Sequence, residues 1–223
     1  MKVFSAQPGS APEWGSGGQG FKSPRSDSTQ QKGLPRWKAL FCFTPRSITD
    51  VAFDLQPTLT GQILELRPML VGDFDALFRV AADPKIWEQH PESDRYTEPV
   101  FRKFFDEGIA SGGALVALDR STGQIIGSSR YHAYSEARSV VEIGWTFLAR
   151  SYWGGRYNGE MKRLMLEHAF RWVTRVLFVI GPDNIRSQRA VEKIGAVRAG
   201  TTTDAKGRPR VLYEITAGMF AGS

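Results

Sequence analysis

A glycine-rich turn between an apolar strand and a helix is the first feature of this sequence that could bind a ligand. Val140–Leu148 is an apolar, β-branched and aromatic run typical of a buried strand, and residues 153–159 then read WGGRYNG. The N–H groups in a helix's first turn are unpaired and partly positive, and glycine lets an anion approach the backbone. Arg150 and Arg156 bracket the turn and could add charge-assisted contacts. The pattern therefore predicts an anion-binding turn.

Two common nucleotide-binding motifs do not fit this turn. No Gly-Lys-Ser/Thr follows it, so it is not a P-loop, and the G-x-G-x-x-G spacing of a dinucleotide-binding turn is absent. Further along, residues 176–180 (VLFVI) predict a second buried strand. Residues 181–195 then predict a loop, a helix with Asn184 or Ser187 as its N-cap, and a glycine stop.

One carboxylate stands inside the first buried strand. Glu142 interrupts the apolar run VVEI, and burying an unpaired carboxylate is costly. It is interpreted either as a base on the sheet face that lines a cleft or as a structural glutamate, with Arg130 of the neighbouring strand as its candidate ion-pair partner. His90 and His132 are rival bases, although a lone histidine is more often structural or solvated. Base catalysis of this kind contributes roughly 10²- to 10⁴-fold.

The elements that must position these residues alternate between strands and helices. The predicted strands are residues 63–67, 114–118, 125–131, 140–148, 176–180, 197–203 and 210–216, and the predicted helices include residues 73–82 and 98–110. The helix after the glycine turn is expected to bury one face, formed by Met161, Leu164, Met165, His168, Ala169 and Trp172. This order predicts an α/β domain, with a mixed central sheet of about six to seven strands flanked by about four helices.

Composition and charge narrow the remaining classes. With 41% hydrophobic residues the chain can bury a core, and its net charge of +6 comes from scattered basic residues, so nucleic-acid binding is not expected. No apolar run approaches the length of a membrane span. The single cysteine, Cys42, permits no internal disulfide, which fits a cytoplasmic setting. The three histidines are far apart in sequence, so no metal site is expected.

Residues 1–57 are predicted to lie outside a folded domain that spans residues 58–223. They are rich in Gly, Ser, Pro and Gln, lack apolar periodicity and contain no apolar core of a secretory signal. They are interpreted as a disordered leader or as the result of a start codon placed too far upstream. A short patch, residues 37–43, could dock on the domain surface.

The segments EIGWTFLARSYWGGRYNGE and GPDNIRSQRAVEKIGA resemble the acetyl-coenzyme A signature of the GCN5-related N-acetyltransferases (GNAT). The resemblance extends from about residue 63 to residue 215 and is greatest to the branch that acetylates ribosomal-protein N-termini and related amines. It implies a single GNAT-like acyltransferase domain that moves an acetyl group from acetyl-coenzyme A to a primary amine. Direct attack by a protein N-terminus or a small-molecule amine is expected, because the predicted domain has no cysteine to serve as a nucleophile.

The resemblance also implies roles for particular residues. Backbone N–H groups around Thr146, Phe147 and Leu148 would polarise the acetyl carbonyl. The turn residues would hold the pyrophosphate: Gly154, Gly155, Arg156, Tyr157, Asn158 and Gly159. Asn184 matches the position that contacts the pantetheine arm, and Ser187 matches the position near the sulfur. Both residues would also serve as helix caps.

The expected acid–base pair consists of Glu142 as the base and Ser187 as the group that protonates the departing thiolate. Many members of the family place a tyrosine acid at the position that Val191 occupies here, so that role is empty. Tyr157 and Tyr213 are weaker substitutes for it.

Two departures in the turn keep alternatives open. Arg156 stands where the family's second glycine is expected, and Asn158 stands where a small residue is expected. One alternative is a catalytically degenerate domain that binds coenzyme A or a partner protein. The other is a regulatory domain that binds a nucleotide or phosphate through the same turn. A homodimer also stays open.

Overall fold

The computed structural model describes residues 53–221. Most of the predicted leader, including the patch at residues 37–43 and Cys42, lies outside the described residues. Within them, a single mixed sheet carries helices on both faces, which confirms the predicted α/β class.

The sheet has eight strands rather than six to seven, because a two-residue strand precedes the first predicted one. The strands are β1 (Leu59–Thr60), β2 (Leu64–Pro68), β3 (Ala114–Asp119), β4 (Ile125–Ser135), β5 (Val140–Leu148), β6 (Arg175–Ile180), β7 (Val197–Thr203) and β8 (Pro209–Thr216). The helices are α1 (Phe74–Ala81), α2 (Glu98–Ala110), α3 (Arg156–Ala169), α4 (Ile185–Glu192) and α5 (Ala217–Ala221).

The strand order is β1-β2-β3-β4-β5-β6-β8-β7. Every neighbouring pair is antiparallel except β5 and β6, which run parallel. A parallel pair needs a crossover connection, and α3 provides it. The glycine turn therefore lies where β5 ends and the crossover helix begins.

Each face of the sheet has its own core. On one face α3 and α4 pack against the sheet through residues that include Met161, Met165, Val191, Val176 and Ile215. On the other face α1 and α2 contribute an aromatic cluster that includes Phe74, Phe101, Phe104, Phe105 and Phe147. The two faces are called the α3 face and the α2 face below.

The predicted buried side of α3 is correct except at its last member. Met161, Leu164, Met165, His168 and Ala169 are buried, but Trp172 is 37% exposed. The reason is that α3 ends at Ala169, so Trp172 lies in the following turn and no longer shares the helical period.

Phe53 belongs to the core although it falls in the predicted leader. Its ring lies 5.3 Å from that of Tyr131 and 5.2 Å from that of His168, measured between centroids. The His168 Nε2 atom lies 2.7 Å from the carbonyl oxygen of Asp54. The packed part of the chain therefore begins before residue 58.

Candidate active site

An opening between β5 and β6 is the central feature of the candidate site. The two strands pair only at their beginnings, where Glu142 lies opposite Leu177 as the last pair. β5 continues to Leu148 and β6 to Ile180 without further pairing between them. On the side of β6, the backbone of β5 beyond Glu142 therefore faces a gap, while its other side stays paired with β4.

A β-bulge in β5 determines which side chains line each face of this gap. Between Gly144 and Phe147, β5 uses one more residue than β4, and Trp145 has a φ of 52°. Before the bulge, Val141 and Ile143 pack on the α3 face, whereas after it Phe147 packs on the α2 face. The extra residue reverses the in-and-out alternation of the strand. Odd-numbered side chains therefore face α3 before the bulge and α2 after it.

Glu142 lies before the bulge on the α2 face, and its carboxylate is unpaired. It has no hydrogen bond or ion pair with any residue in the range 53–221, so the alternative interpretation, an ion pair with Arg130, is wrong. The Glu142 carboxylate lies beside Gly144, because a Cβ atom placed on Gly144 would be 3.4 Å from Glu142 Oε1. Burial raises the pKa of Glu142 to about 7.

Arg130 and His132 lie on β4, the strand that pairs with β5 beside this carboxylate. Arg130 lies opposite Gly144, and its guanidinium packs over the rings of Trp145 and Phe104 at 4.7 and 5.8 Å. Burial lowers the pKa of Arg130 to about 10. His132 is the cross-strand neighbour of Glu142, and burial together with Arg130 lowers its pKa.

His90 is less suited to act as the base. Its ring nitrogens lie 3.1 Å from the Glu92 backbone nitrogen and 3.1 Å from Arg95 Nη1. Burial and the Arg95 charge lower the pKa of His90 to about 3, so the ring is neutral and engaged near neutral pH.

The glycine turn has the geometry of an anion site. Gly154 and Gly155 adopt φ values of 102° and 119°, which favour glycine, and no atom lies within 4 Å of an added Cβ on either. The first residue of α3, Arg156, is exposed, and no acidic side chain occupies the first turn. Gly155 provides no side-chain cap, so N–H groups at the start of α3 lack an intrahelical or side-chain partner in the described part of the chain.

Side chains around the turn are anchored to the sheet. The Tyr157 hydroxyl donates to Asp119 Oδ2 at 3.3 Å, and Trp153 Nε1 donates to the Leu148 carbonyl at 2.9 Å. Arg150, expected to face the anion, instead forms an ion pair with Asp83. Tyr157 is therefore engaged by a carboxylate on β3.

At the other side of the gap, Asn184 caps α4. Its Oδ1 accepts a hydrogen bond from the Ser187 backbone nitrogen at 3.1 Å, which confirms the predicted cap. The Ser187 hydroxyl makes no hydrogen bond within residues 53–221. Val191 is buried in the core, and the Tyr213 hydroxyl donates to Glu192 Oε1 at 2.8 Å.

Arg186 contacts three separate segments around the site, a role that the sequence did not indicate. Its backbone nitrogen donates to Gln89 Oε1 at 3.1 Å, and its Nη2 donates to the Ile86 carbonyl at 2.7 Å. Its guanidinium also lies 4.1 Å from the centroid of the Trp153 ring. One side chain thus links the start of α4, the α1–α2 connection and the glycine turn.

Lys162 is the second residue that sequence reasoning missed. It is 4% exposed, and its Nζ donates to Thr146 Oγ1 at 2.7 Å and lies 5.3 Å from the Phe178 ring centroid. Burial lowers the pKa of Lys162 to about 7. Its place beside Met161, at the edge of the buried stripe of α3, was the only signal that the sequence offered.

A separate groove of about 760 Å³ lies beside α1 and the β3–β4 turn. Two of its arginines are already paired, since Arg67 bonds Asp73 at 2.8 Å and Arg150 bonds Asp83. The groove does not coincide with the gap between β5 and β6.

A metal centre and a membrane-spanning helix are both absent from the described part of the chain. Residues 53–221 contain no group of three or more His, Cys, Asp or Glu side chains that could hold a metal ion. No helix in the same range has both the length and the apolar character needed to cross a bilayer.

Comparison with known proteins gives the family of this fold. Residues 64–197 match the model of the acetyltransferase (GNAT) domain. A curated relative, the uncharacterized N-acetyltransferase YnaD of Bacillus subtilis (strain 168), is 26% identical over 145 residues, which cover 64% of this chain and 84% of the relative.

Two solved structures share the fold at lower identity. A GCN5-related N-acetyltransferase from Brucella melitensis is 19% identical with a TM-score of 0.66, over 74% of this chain and 81% of that one. Mycobacterium smegmatis RimJ, solved in complex with CoA-disulfide, is 19% identical with a TM-score of 0.57, over 73% and 87%. The family predicted from the two sequence segments is confirmed, and the chain belongs to the acetyltransferase (GNAT) domain family.

Proposed function

We propose that this protein is an N-acetyltransferase that moves an acetyl group from acetyl-coenzyme A to a primary amine by direct attack. The acceptor is a protein N-terminus or a small-molecule amine. One observation carries the proposal: within the described range 53–221, a gap between two strands has a helix N-terminus without a side-chain cap at one end and a carboxylate without a partner at the other.

The residues around the gap fit a coenzyme A thioester. The pyrophosphate would lie on the free N–H groups at the start of α3, where Gly154 and Gly155 leave the backbone uncovered. Arg156 supports this assignment, because a cation at a helix N-terminus is unfavourable unless an anion compensates for it. Asn184, at the start of α4, would contact the pantetheine arm.

The chemistry then follows from the two faces of the sheet. Glu142 lies on the α2 face, where it would take a proton from the acceptor ammonium. The stretch from Thr146 to Leu148 is paired with β4 but not with β6, and backbone N–H groups of this stretch that point into the gap would polarise the carbonyl that the amine attacks. The Ser187 hydroxyl, free of other hydrogen bonds within residues 53–221, would lie near the sulfur.

Calorimetric titration tests the donor assignment directly. Acetyl-coenzyme A is titrated into the full-length chain, with ATP as the control ligand. Selective binding of acetyl-coenzyme A supports the proposal, whereas ATP binding without it would favour a nucleotide-binding regulatory domain. A panel of amines, assayed by release of the coenzyme A thiol, then identifies the acceptor.

A degenerate domain is the second candidate, and the tyrosine hydroxyls favour it. Tyr157 and Tyr213 are engaged with Asp119 and Glu192, and Val191 occupies the position of the family's tyrosine acid. Coenzyme A binding without transfer to any amine would support this alternative.

We further propose that the enzyme is cytoplasmic and that it needs neither a membrane nor nucleic acid as a partner. A homodimer stays open, and light scattering of the purified full-length chain would decide it. A mass equal to one chain would exclude the dimer at the concentration measured.

A further inference from the structure

We infer that Lys162 is the proton donor to the departing coenzyme A sulfur. The inference rests on the proposed function, because it needs a thioester in the gap between β5 and β6. It gives Lys162 the role that a tyrosine acid has in many members of the family and that the sequence alone assigned to Ser187, which would then contact the sulfur without protonating it.

The position of Lys162 carries the inference. On the α3 face its Nζ contacts side chains of both strands beyond their last pair, 2.7 Å from Thr146 Oγ1 on β5 and 5.3 Å from the Phe178 ring centroid on β6. A thioester carbonyl held by the backbone of Thr146 to Leu148 has its sulfur one bond from the carbonyl carbon. The sulfur would therefore lie close to Nζ.

The bulge in β5 places this ammonium and the base on opposite faces of the sheet. Thr146 follows the bulge and faces α3, whereas Glu142 precedes it and faces α2. The acceptor can then lose its proton to Glu142 on one face while the leaving group gains a proton from Lys162 on the other. The two proton transfers do not compete for one carboxylate.

Among residues 53–221, Lys162 has no acidic partner to keep its proton. Its one hydrogen bond goes to a neutral hydroxyl, and Thr146 Oγ1 lies 2.8 Å from Ser129 Oγ, so the environment is polar but uncharged. Burial alone lowers the pKa of Lys162 to about 7. Such an ammonium gives up its proton near neutral pH far more readily than an ordinary lysine does.

Charged groups on the elements packed against α3 are turned away or engaged elsewhere. Glu142 and Arg130 face α2, and Arg175 bonds Glu214 at 3.2 Å at the surface. The carboxylates on α3 and α4 are also engaged. Glu160 accepts from the Ile63 nitrogen at 3.0 Å, Glu167 pairs with Arg163, and Glu192 accepts from Tyr213.

Each proton that moves during the transfer has a named donor and acceptor. The acceptor ammonium gives one proton to Glu142, and its nitrogen then bonds to the thioester carbonyl carbon. The carbon–sulfur bond breaks, the sulfur keeps the electron pair, and Lys162 gives its proton to the sulfur. The nitrogen loses its second proton to solvent, Lys162 regains one from solvent, and Glu142 releases its own, so one proton is released per turnover.

The first test uses bound coenzyme A and needs no acceptor. The ultraviolet absorbance of the thiolate is followed against pH for coenzyme A bound to the wild type, to Lys162→Met and to the control Arg163→Met, which alters an exposed residue on the same helix. A nearby ammonium favours the thiolate, so the wild type and control should show about tenfold more thiolate near pH 7 than Lys162→Met. Equal titrations in all three proteins would overturn the inference.

The second test is the pH profile of acetyl transfer. Loss of the Lys162 proton should lower the turnover of the wild type above about pH 7, and that decline should be absent in Lys162→Met, whose turnover is lower by roughly 10²-fold or more. Lys162→Gln is the second variant if Lys162→Met does not fold. A decline that persists in a folded variant would refute the role. If wild-type coenzyme A binding were absent in calorimetry, the proposed function itself would fail.

Discussion

Replacing Lys162 with Met should stabilise the protein, by an amount that depends on pH. The pKa of Lys162 is about 7 in the folded chain, against an ordinary value of 10.5 that we take for the unfolded chain. At about 1.36 kcal/mol for each pKa unit, burying the ammonium costs up to about 5 kcal/mol below pH 7. The hydrogen bond to Thr146, worth about 1 kcal/mol, is lost in the variant and partly offsets the gain.

The sign of the pH dependence follows from proton counts. Between about pH 7 and pH 10.5 the unfolded chain holds the proton on Lys162 and the folded chain does not, so wild-type stability from this group rises with pH. The advantage of Lys162→Met should therefore be greatest at pH 6 and smaller by about 3 kcal/mol at pH 9. Other titrating groups are common to both proteins and cancel in the difference.

Urea unfolding at several pH values between 6 and 9 measures this difference. The free energy of unfolding is obtained for the wild type, Lys162→Met and Arg163→Met at each pH by tryptophan fluorescence. Parallel pH profiles for wild type and Lys162→Met would refute the reasoning, because they would show that Lys162 titrates alike in the folded and unfolded chains. A gain in stability together with a loss of transfer would place Lys162 among residues kept for activity at a cost to stability.

Three further predictions concern the other residues of the site. Glu142→Gln should bind acetyl-coenzyme A as the wild type does but lower turnover by roughly 10²-fold or more and remove the rise in rate through about pH 7; a full rate at every pH would show that Glu142 is not the base. Gly155→Ala should weaken acetyl-coenzyme A binding about tenfold or more, whereas Gly112→Ala, at a φ of 60° in the turn between α2 and β3, carries a similar strain and should leave binding unchanged; equal affinities would separate the turn from cofactor binding. Asn184→Ala should lose about 1 kcal/mol of stability and bind acetyl-coenzyme A less tightly, while Asn184→Asp keeps the cap; unchanged affinity in both variants would limit Asn184 to capping.

The features that the sequence predicted well depend on local pattern. α2 (Glu98–Ala110) and β5 (Val140–Leu148) have the predicted bounds, because apolar periodicity and the flanking glycine, proline and polar residues act over a few positions. The cap at Asn184 is similarly local. The glycine turn was identifiable because only glycine readily adopts the positive φ values found at Gly154 and Gly155.

The features that the sequence did not predict depend on contacts between distant segments. Phe53 is a single aromatic residue in a polar stretch, so no periodicity marks it as part of the core. The burial of Lys162 depends on the position of β5 and β6 rather than on the pattern of α3. Arg130 does not pair with Glu142 because the register places it opposite Gly144, and a register between strands cannot be derived from either strand alone.

The bulge at Trp145 lets β5 carry one residue more than β4 while the pairs on either side of it stay in register. Deleting Trp145 would restore regular alternation with Gly144 still opposite Arg130 and Phe147 still opposite Ser128, so the later side chains would keep their faces. Thr146 would then still face Lys162 and Phe147 would stay in the aromatic core, whereas Arg130 would lose the Trp145 ring over which its guanidinium packs. A substitution such as Trp145→Gly keeps the extra residue and relieves the positive φ. Relatives or designed variants should therefore tolerate the loss of the bulge residue, whereas a shift of β5 by one residue against β4 would move its side chains to the opposite faces.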